Sequence, residues 1–384
     1  MTSRGRERRG HGGAPAREDL TIFLSGDVML GRGIDQILPH PGDPQLRERS
    51  VRDARTYVHL AEAAGGAVPQ PVEPGWPWGD LAAVLGETAP DARVVNLETA
   101  VTTSSSFAPH KAVHYRMHPA NLPTLHALHP DVCCLANNHV LDFGTEGLRE
   151  TLDVLAAAGL RTAGAGRDAT EAWRPAVVPL TGGRRLVVLS VAHTSSGVPP
   201  GWAATATRPG VALVADDVDR SVDEVVASLA AVHTPDDIAV VSVHRGSNWG
   251  YEVGAEQRRF AHGLVDAGVD LVHGHSSHHP RPVEVHRGRL VLHGCGDLVD
   301  DYEGVSGYEE YRADLRLAYL ATLDPTTGAL RRLRMVPLRS RRLRLQRASA
   351  EDAEWLAATL DRAGRPYGSR VRTGAHHLLD LATV

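Results

Sequence analysis

Short apolar runs that end in polar, reactive side chains recur along this 384-residue chain, and helical segments separate them. One run, Asp131–Leu135, leads into Asn137, Asn138 and His139 and then into the amphipathic segment Thr145–Ala158. A short apolar run is typical of a buried strand, and the longer amphipathic segment is typical of a helix. Strands that alternate with helices favour an α/β fold, in which ligands bind at the carboxyl ends of the strands.

The same arrangement recurs after the other predicted strands. The strand-end residues are Asp27, Glu98, Asn138 with His139, His244, and the pair His275 and His278. Because a sheet collects the ends of its parallel strands along one edge, we expect these side chains to converge. Such oxygen and nitrogen ligands suit one or two divalent transition metals, namely Mn, Fe or Zn. Each carboxylate or amide taken singly is also explained as a helix cap.

Four histidines lie within seven residues, from His273 to His279, directly after the predicted strand Val269–Val272. A histidine tract is also typical of a solvated loop or of adventitious metal binding. Its position after a buried strand and beside Gly274 favours a dedicated metal site.

Composition narrows the class of protein. Hydrophobic residues make up 42% and charged residues 23%, which is ordinary for a globular protein, and the net charge of −5 predicts no nucleic-acid partner. Three cysteines cannot build a disulfide framework and suit a reducing compartment, so we expect a cytoplasmic location. We find no signal peptide and no apolar run long enough to span a bilayer, so we expect no direct membrane anchor.

The chain organisation is predicted from changes in composition. Residues 1–18 are basic and rich in Gly and Ala, which predicts a disordered tail, and residues 19–345 are predicted to form one domain with an insertion at 39–77. Residues 346–384 are predicted to be a C-terminal helical extension with its helix at Ala350–Ala363. The arginine-rich segment Arg331–Arg347 is interpreted as an edge strand with a solvated basic face.

Several of these segments together resemble the CapA family, the poly-γ-glutamate capsule-synthesis group of the calcineurin-like metallophosphatase superfamily. The matching segments are GDVMLGR (Gly26–Arg32), NLE (Asn96–Glu98), ANNHVLDFGTEGL (Ala136–Leu148), GAG (Gly164–Gly166), NWGYE (Asn248–Glu252) and GHSSHH (Gly274–His279). The resemblance implies a metallophosphatase-like four-layer α/β/β/α sandwich, with two mixed sheets flanked by helices and metals at the strand ends.

The resemblance also implies individual roles. Carried over by motif, the implied metal ligands are Asp27, Glu98 at the position of the bridging carboxylate, Asn138, His244, His275 and His278. It implies that His139 acts on the leaving group or phosphate. Met29 stands where the superfamily has a ligand histidine, and His273 is the expected replacement.

Three further residues are predicted to support the site. Asp142 lies one helical turn after His139 and is predicted to orient its imidazole, although an Asp at a helix N-terminus has the same spacing. Arg32 and Arg245 are predicted to face one cleft and to bind an anionic substrate, and pairing with local acids is the alternative.

The predicted function is a metal-dependent hydrolase that acts on an anionic small molecule or polymer. The bond is a phosphoester or a γ-glutamyl or peptide-like amide, with a link to poly-γ-glutamate or capsule metabolism. The alternative is a non-catalytic component of a capsule assembly that binds metal or polymer.

Overall fold

The apolar runs form strands and the amphipathic segments form helices in a computed structural model that describes residues 19–383. The predicted tail of residues 1–18 lies outside the described residues. The strands are β1 (Leu20–Val28), β2 (Ala92–Leu97), β3 (Ala100–Val101), β4 (Arg116–Met117), β5 (Val132–Cys134), β6 (Arg161–Ala163), β7 (Ala165–Gly166), β8 (Ala176–Pro179), β9 (Arg185–Ala192), β10 (Gly210–Val211), β11 (Ile238–His244), β12 (Leu271–His275), β13 (Val283–His286), β14 (Arg289–Leu292), β15 (Asp297–Val299), β16 (Leu315–Leu323), β17 (Leu330–Ser340), β18 (Leu345–Arg347), β19 (Ser369–Thr373) and β20 (Leu379–Thr383). The helices are α1 (Gly33–Ile37), α2 (Arg55–Gly65), α3 (Gly79–Thr88), α4 (Leu122–His126), α5 (Gly144–Ala157), α6 (Ala169–Ala172), α7 (Val218–Ala230), α8 (Ala255–Asp266) and α9 (Ala350–Gly364).

Two mixed sheets contain most of the strands. The larger has the order β19-β20-β17-β16-β1-β2-β5-β6, with β15 also paired to β1 and β18 to β17. The smaller has the order β13-β14-β12-β11-β9-β8. In the larger sheet β1, β2, β5 and β6 run parallel, and in the smaller sheet β9, β11, β12 and β14 run parallel. The parallel strands of each sheet therefore end along one edge.

Side chains alternate between two apolar layers, as the period of a strand requires. On β1, Ile22 and Leu24 enter a core that also contains Val240 of β11, whereas Phe23 enters a second core shared with helices α3 and α5. On β11, Val241 faces a third core shared with α7 and α8. The sheets thus pack face to face and carry helices on their outer faces. The predicted four-layer α/β/β/α sandwich is confirmed.

The C-terminal segment differs from the sequence prediction. It contains the expected helix, α9, but β19 and β20 follow and join the larger sheet, so residues 346–384 are not purely a helical extension. Leu356 and Leu360 of α9 lie in the core between the two sheets. The sequence of β19 carries arginine at alternate positions and no apolar run, so only its pairing partner reveals it as a strand.

The arginine-rich strand β17 is not an edge strand. It pairs with β16 along one side and with β20 and β18 along the other. Strands β16 and β17 form an antiparallel hairpin. The error has a physical reason, because the strands that cover β17 come from later in the chain. Within residues 19–383, no helix is both long and apolar enough to cross a membrane.

Gly26 allows β1 to approach the chain that enters β15. A Cβ atom at this position would lie 1.7 Å from the carbonyl oxygen of Gly296, which is backbone and has little freedom to move. The same carbonyl accepts a hydrogen bond from the Asp27 amide at 2.9 Å. The close approach therefore sets the separation between Asp27 and Asp297, which are register partners.

We predict that Gly26→Ala lowers the free energy of unfolding by about 1–3 kcal/mol, the usual cost of overpacking a close-packed interior. Gly86→Ala is the matched control, because a Cβ added to this residue of α3 would have no atom within 4 Å. The control should raise the free energy of unfolding by about 0.5–1 kcal/mol, since Ala favours helices. Urea unfolding measures both, and equal stability of the two variants would contradict the prediction.

Candidate metal centre

The carboxyl ends of strands from both sheets meet at one end of the sandwich. Asp27 lies at the end of β1, and His244 and His275 are register partners at the ends of β11 and β12. A hydrogen bond links the sheets nearby, since Nε2–H of His273 donates to the carbonyl of Ser25 at 2.6 Å. The convergence predicted for the strand ends is therefore present for these residues.

The first group of potential ligands is Asp27, His244 and His275, whose ligand atoms lie within 4.8 Å of one another. All three residues are buried. The Nδ1 atoms of His244 and His275 lie only 2.7 Å apart, and Nδ1 of His275 lies 3.8 Å from an oxygen of Asp27.

The outer nitrogens of these two imidazoles are already engaged. Nε2 of His275 is 2.8 Å from the Ser242 hydroxyl, and Nε2 of His244 is 3.2 Å from Oδ1 of Asn138. If each Nε2–H donates there, both Nδ1 atoms carry lone pairs that face each other. Burial lowers the pKa of both imidazoles well below the ordinary value, so neither is protonated near neutrality. A cation bound by both nitrogens removes this repulsion.

The second group shares Asp27 with the first and adds His278 and Asp297. Nδ1 of His278 lies 3.0 Å from Oδ1 of Asp297. Burial alone would lower the pKa of His278, but the charge of Asp297 outweighs burial and raises it. One carboxylate common to two ligand groups is the arrangement that a two-metal site requires.

Three buried carboxylates lie together here. Burial, followed by repulsion from Glu98 and Asp297, raises the pKa of Asp27 well above its ordinary value. Burial also raises the pKa of Glu98 to about 8. The side-chain amide of Asn96 donates to both Asp27 and Glu98, at 2.7 and 2.9 Å, and holds them in place without neutralising them.

Two side-chain oxygens indicate whether a metal ion fits this site. Oδ2 of Asp27 and Oδ2 of Asp297 are buried and have no hydrogen-bond partner among residues 19–383. Unpaired buried acceptors are rare and mark a place where an ion or water belongs. The donors are carboxylate oxygens and imidazole nitrogens, which suit divalent transition metals. The residues present therefore fit such ions, although the donor set does not identify the metal.

Other predicted ligands lie beside the two groups. An oxygen of Glu98 is 3.9 Å from Nε2 of both His139 and His244, but Asp27 is the carboxylate that the two groups share. Oδ1 of Asn138 contacts His244, as described above. His273 does not replace the missing ligand, because its two ring nitrogens contact the Ser25 carbonyl and the Ser242 hydroxyl.

His139 is held by Asp142, as its spacing predicted. Nδ1 of His139 lies 2.6 Å from Oδ2 of Asp142, and burial lowers the pKa of His139 to about 4. Burial alone would raise the pKa of Asp142, but His139 and Lys111 outweigh it and lower the value. His139 is therefore neutral near pH 7, with Nδ1–H on Asp142 and the lone pair of Nε2 directed away from it.

Lys111 completes this arrangement. Its ammonium lies 2.5 Å from Asp142 and 3.3 Å from Nδ1 of His139, and it donates to the backbone carbonyl of Asn138. The ammonium engages two acceptors, the Asp142 carboxylate and the Asn138 carbonyl, and the side chain is only 11% exposed. Lys111 therefore positions Asp142, and through Asp142 it positions His139.

Arg32 is buried in an ion-pair network and is not an open anion clamp. Its guanidinium binds Asp301 through two nitrogens and Glu48 at 2.8 Å, and it lies 3.8 Å from the centre of the Tyr57 ring. Two carboxylates therefore neutralise its charge. The alternative that Arg32 pairs with acids is the better description, and its partners are Glu48 and Asp301.

Arg245 does not face the same cleft as Arg32. Its guanidinium lies 5.1 Å from the centre of the Phe260 ring of α8, in the layer outside the smaller sheet. The reason is the alternation of side chains along the strand. Because His244 points inward at the end of β11, the next residue points outward. Arg32 and Arg245 therefore do not form the predicted anion-binding pair.

Sequence comparison decides the family. The model of a family described as bacterial capsule synthesis protein PGA_cap matches residues 21–302. The chain belongs to the PGA_cap family. The resemblance to CapA proteins inferred from the motifs is confirmed.

Named relatives agree with this family. A probable polyglutamine synthesis accessory protein of Mycobacterium tuberculosis is 55% identical over 94% of this chain and 96% of its own length. The PGA biosynthesis protein CapA of Bacillus subtilis is 26% identical over 73% of this chain and 63% of its own length. A solved structure, TT1561 of Thermus thermophilus, superposes with a TM-score of 0.37 at 12% identity, over 82% of this chain and 97% of that chain.

Two residues of the site, Asp297 and Lys111, were not predicted from the sequence of this PGA_cap protein. Asp297 was visible as a carboxylate after β14, but it begins β15, and only the pairing of β15 with β1 brings it beside Asp27. The composition could have drawn attention to Lys111, because it is the single lysine in a chain with 40 arginines. Lysine and arginine are not interchangeable where a compact ammonium must fit between several acceptors.

We predict that the purified PGA_cap protein contains one or two transition-metal ions and that Asp27→Asn removes them, because both groups need this carboxylate. Asp297→Asn should remove the ion of the second group alone. Asp35→Asn is the control, since Asp35 is equally buried but hydrogen-bonds Gly42, His118 and Asn121 instead. Elemental analysis of the folded variants measures the content. An unchanged metal content in Asp27→Asn would refute the assignment.

Proposed function

We propose that this PGA_cap protein is a metal-dependent hydrolase that cleaves an anionic substrate, either a phosphoester or a γ-glutamyl or peptide-like amide. The observation that carries the proposal is the pair of buried ligand groups that share Asp27. Asp27, His244 and His275 would hold one ion, and Asp27, His278 and Asp297 the other. Mn, Fe and Zn suit these donors, and such ions supply Lewis acidity toward a phosphoryl or carbonyl oxygen.

In this proposal His139 is the proton acceptor. Its pKa of about 4 leaves Nε2 unprotonated near pH 7, so this atom accepts a proton. Asp142 is ionised and binds Nδ1–H, so it stabilises the imidazolium that then forms. Lys111 binds the other oxygen of Asp142 and keeps the carboxylate in the orientation that this role needs.

The preference for an anion comes from bound cations rather than from arginines. Arg32 is neutralised by Asp301 and Glu48, and Arg245 lies on the outer side of the smaller sheet. A substrate phosphate or carboxylate would instead be attracted to the ions at Asp27. This places the charged group of the substrate at the end of the sandwich, beside His139.

The biological setting is proposed from the relatives. Their names refer to polyglutamine synthesis and to PGA biosynthesis, and we propose that this protein acts on a polymer or precursor of that kind. Cys133, Cys134 and Cys295 are buried free thiols, which supports action in the cytoplasm. The word accessory in the name of the mycobacterial relative favours a second candidate, a metal-binding assembly component without catalysis.

We predict that Lys111→Met lowers kcat on a chromogenic phosphodiester or a γ-glutamyl anilide by about 10–100-fold, the range typical of residues that orient the side chains of a metal site. KM should change little, because the ammonium is turned toward Asp142 and the Asn138 carbonyl and the side chain is only 11% exposed. Lys111→Arg is the control that keeps the charge, and it should retain more activity than the methionine variant.

Metal content and circular dichroism establish that these variants remain folded and loaded. If the loaded parent hydrolyses neither substrate but holds its ions, the non-catalytic assembly component becomes the better description. If the parent is active and Lys111→Met is equally active, Lys111 has no positioning role.

A further inference from the structure

A cleft of about 210 Å³ opens beside His278 of the second ligand group. Besides the histidine, four aromatic residues line it, namely Tyr57, Trp249, Tyr302 and Tyr308. Aromatic side chains therefore form much of its walls.

The cleft collects exposed apolar surface. Val305 and Tyr308 are 43% and 44% exposed, and within residues 19–383 they are the large hydrophobic side chains that remain exposed. Both lie on the segment that follows Tyr302 and both line the cleft. Apolar surface that is left open beside a polar site is typical of a place where a ligand binds.

The aromatic rings form a continuous path from the ligand group. The centre of the Trp249 ring lies 5.5 Å from that of His278, and the Tyr308 ring stacks on Trp249 at 3.9 Å with an angle of 6° between their planes. The stack of Trp249 and Tyr308 therefore begins directly beside His278.

The charges of the residues that line the cleft do not suit a second anionic group there. Arg32 is the only arginine among the lining residues, and Asp301 and Glu48 already neutralise it. Asn248 contributes an uncharged amide that lies 3.0 Å from Nε2 of His278. The walls thus offer ring faces and one amide, which suit a flat, uncharged group.

We propose that the cleft is a stacking subsite for a flat, uncharged ring, such as an aryl group or a nucleobase, that the substrate carries next to its anionic group. This ring contacts Tyr308, which remains 44% exposed although Trp249 stacks on one of its faces. The inference rests on the proposed function for the position of the anionic group, but the ring subsite itself depends only on the aromatic residues.

The test compares phosphonates that share one anionic head, by calorimetry on the metal-loaded protein. Phenylphosphonate should bind about 5–100-fold more tightly than methylphosphonate, the range expected for one stacked ring. Tyr308→Leu and Trp249→Leu should reduce this ratio to near one and leave methylphosphonate binding unchanged. Trp173→Leu is the control, since Trp173 packs against the outer core of the smaller sheet, and it should keep the ratio of the parent.

Two results would overturn the subsite. Equal binding of phenylphosphonate and methylphosphonate to the parent would show that the ring adds nothing. Equal binding of phenylphosphonate and cyclohexylphosphonate would show that the cleft takes any apolar group and does not select a flat ring.

Failure of every phosphonate to bind would count against the anion site of the proposed function. In that case adenosine and ribose, followed by tryptophan fluorescence, test the ring alone. Preferential binding of adenosine that Tyr308→Leu abolishes would support the subsite, and equal binding of both would overturn it.

Discussion

Repulsion among buried carboxylates is the interaction on which this end of the molecule depends. Asp27, Glu98 and Asp297 lie together and are buried, and two of their oxygens have no hydrogen-bond partner in the part of the chain that the structure describes. Burying charge is costly unless it is paired or bound to a metal. Protons relieve part of the repulsion, as the raised pKa values of Asp27 and Glu98 indicate. Cations at the two ligand groups would relieve it while leaving the carboxylates ionised.

The sandwich supplies the rigidity that such a cluster needs. Strand ends from two sheets are held together by the close approach at Gly26 and by the hydrogen bond from His273 to Ser25. His273, which was expected to replace the missing ligand, instead joins the two sheets through this hydrogen bond. Around His139 the same precision comes from Asp142 and Lys111, which fix the imidazole from the side opposite to Nε2.

The two proposals above divide substrate selection between charge and shape. The arginines near the site are not available for an anion, since Arg32 is paired and Arg245 points outward. Attraction for a charged group is therefore concentrated at the ligand groups. The neighbouring cleft contains the partly exposed ring of Tyr308 instead, and the proposed recognition beyond the charged group is by stacking.

The sequence by itself determined the layered α/β fold, because apolar runs of strand length alternate with amphipathic segments and each run leads into a polar residue. It also located Asp27, His244, His275 and His278, since parallel strands place their ends at one edge. Tertiary structure alone decided what depends on contacts between distant segments. The pairing of β15 with β1 brings in Asp297, strands from the C-terminus cover β17, and Asp301 neutralises Arg32 from 269 residues away. The periodicity of the sequence predicts which face of a strand a side chain occupies. The packing of the sheets decides which residue that side chain contacts.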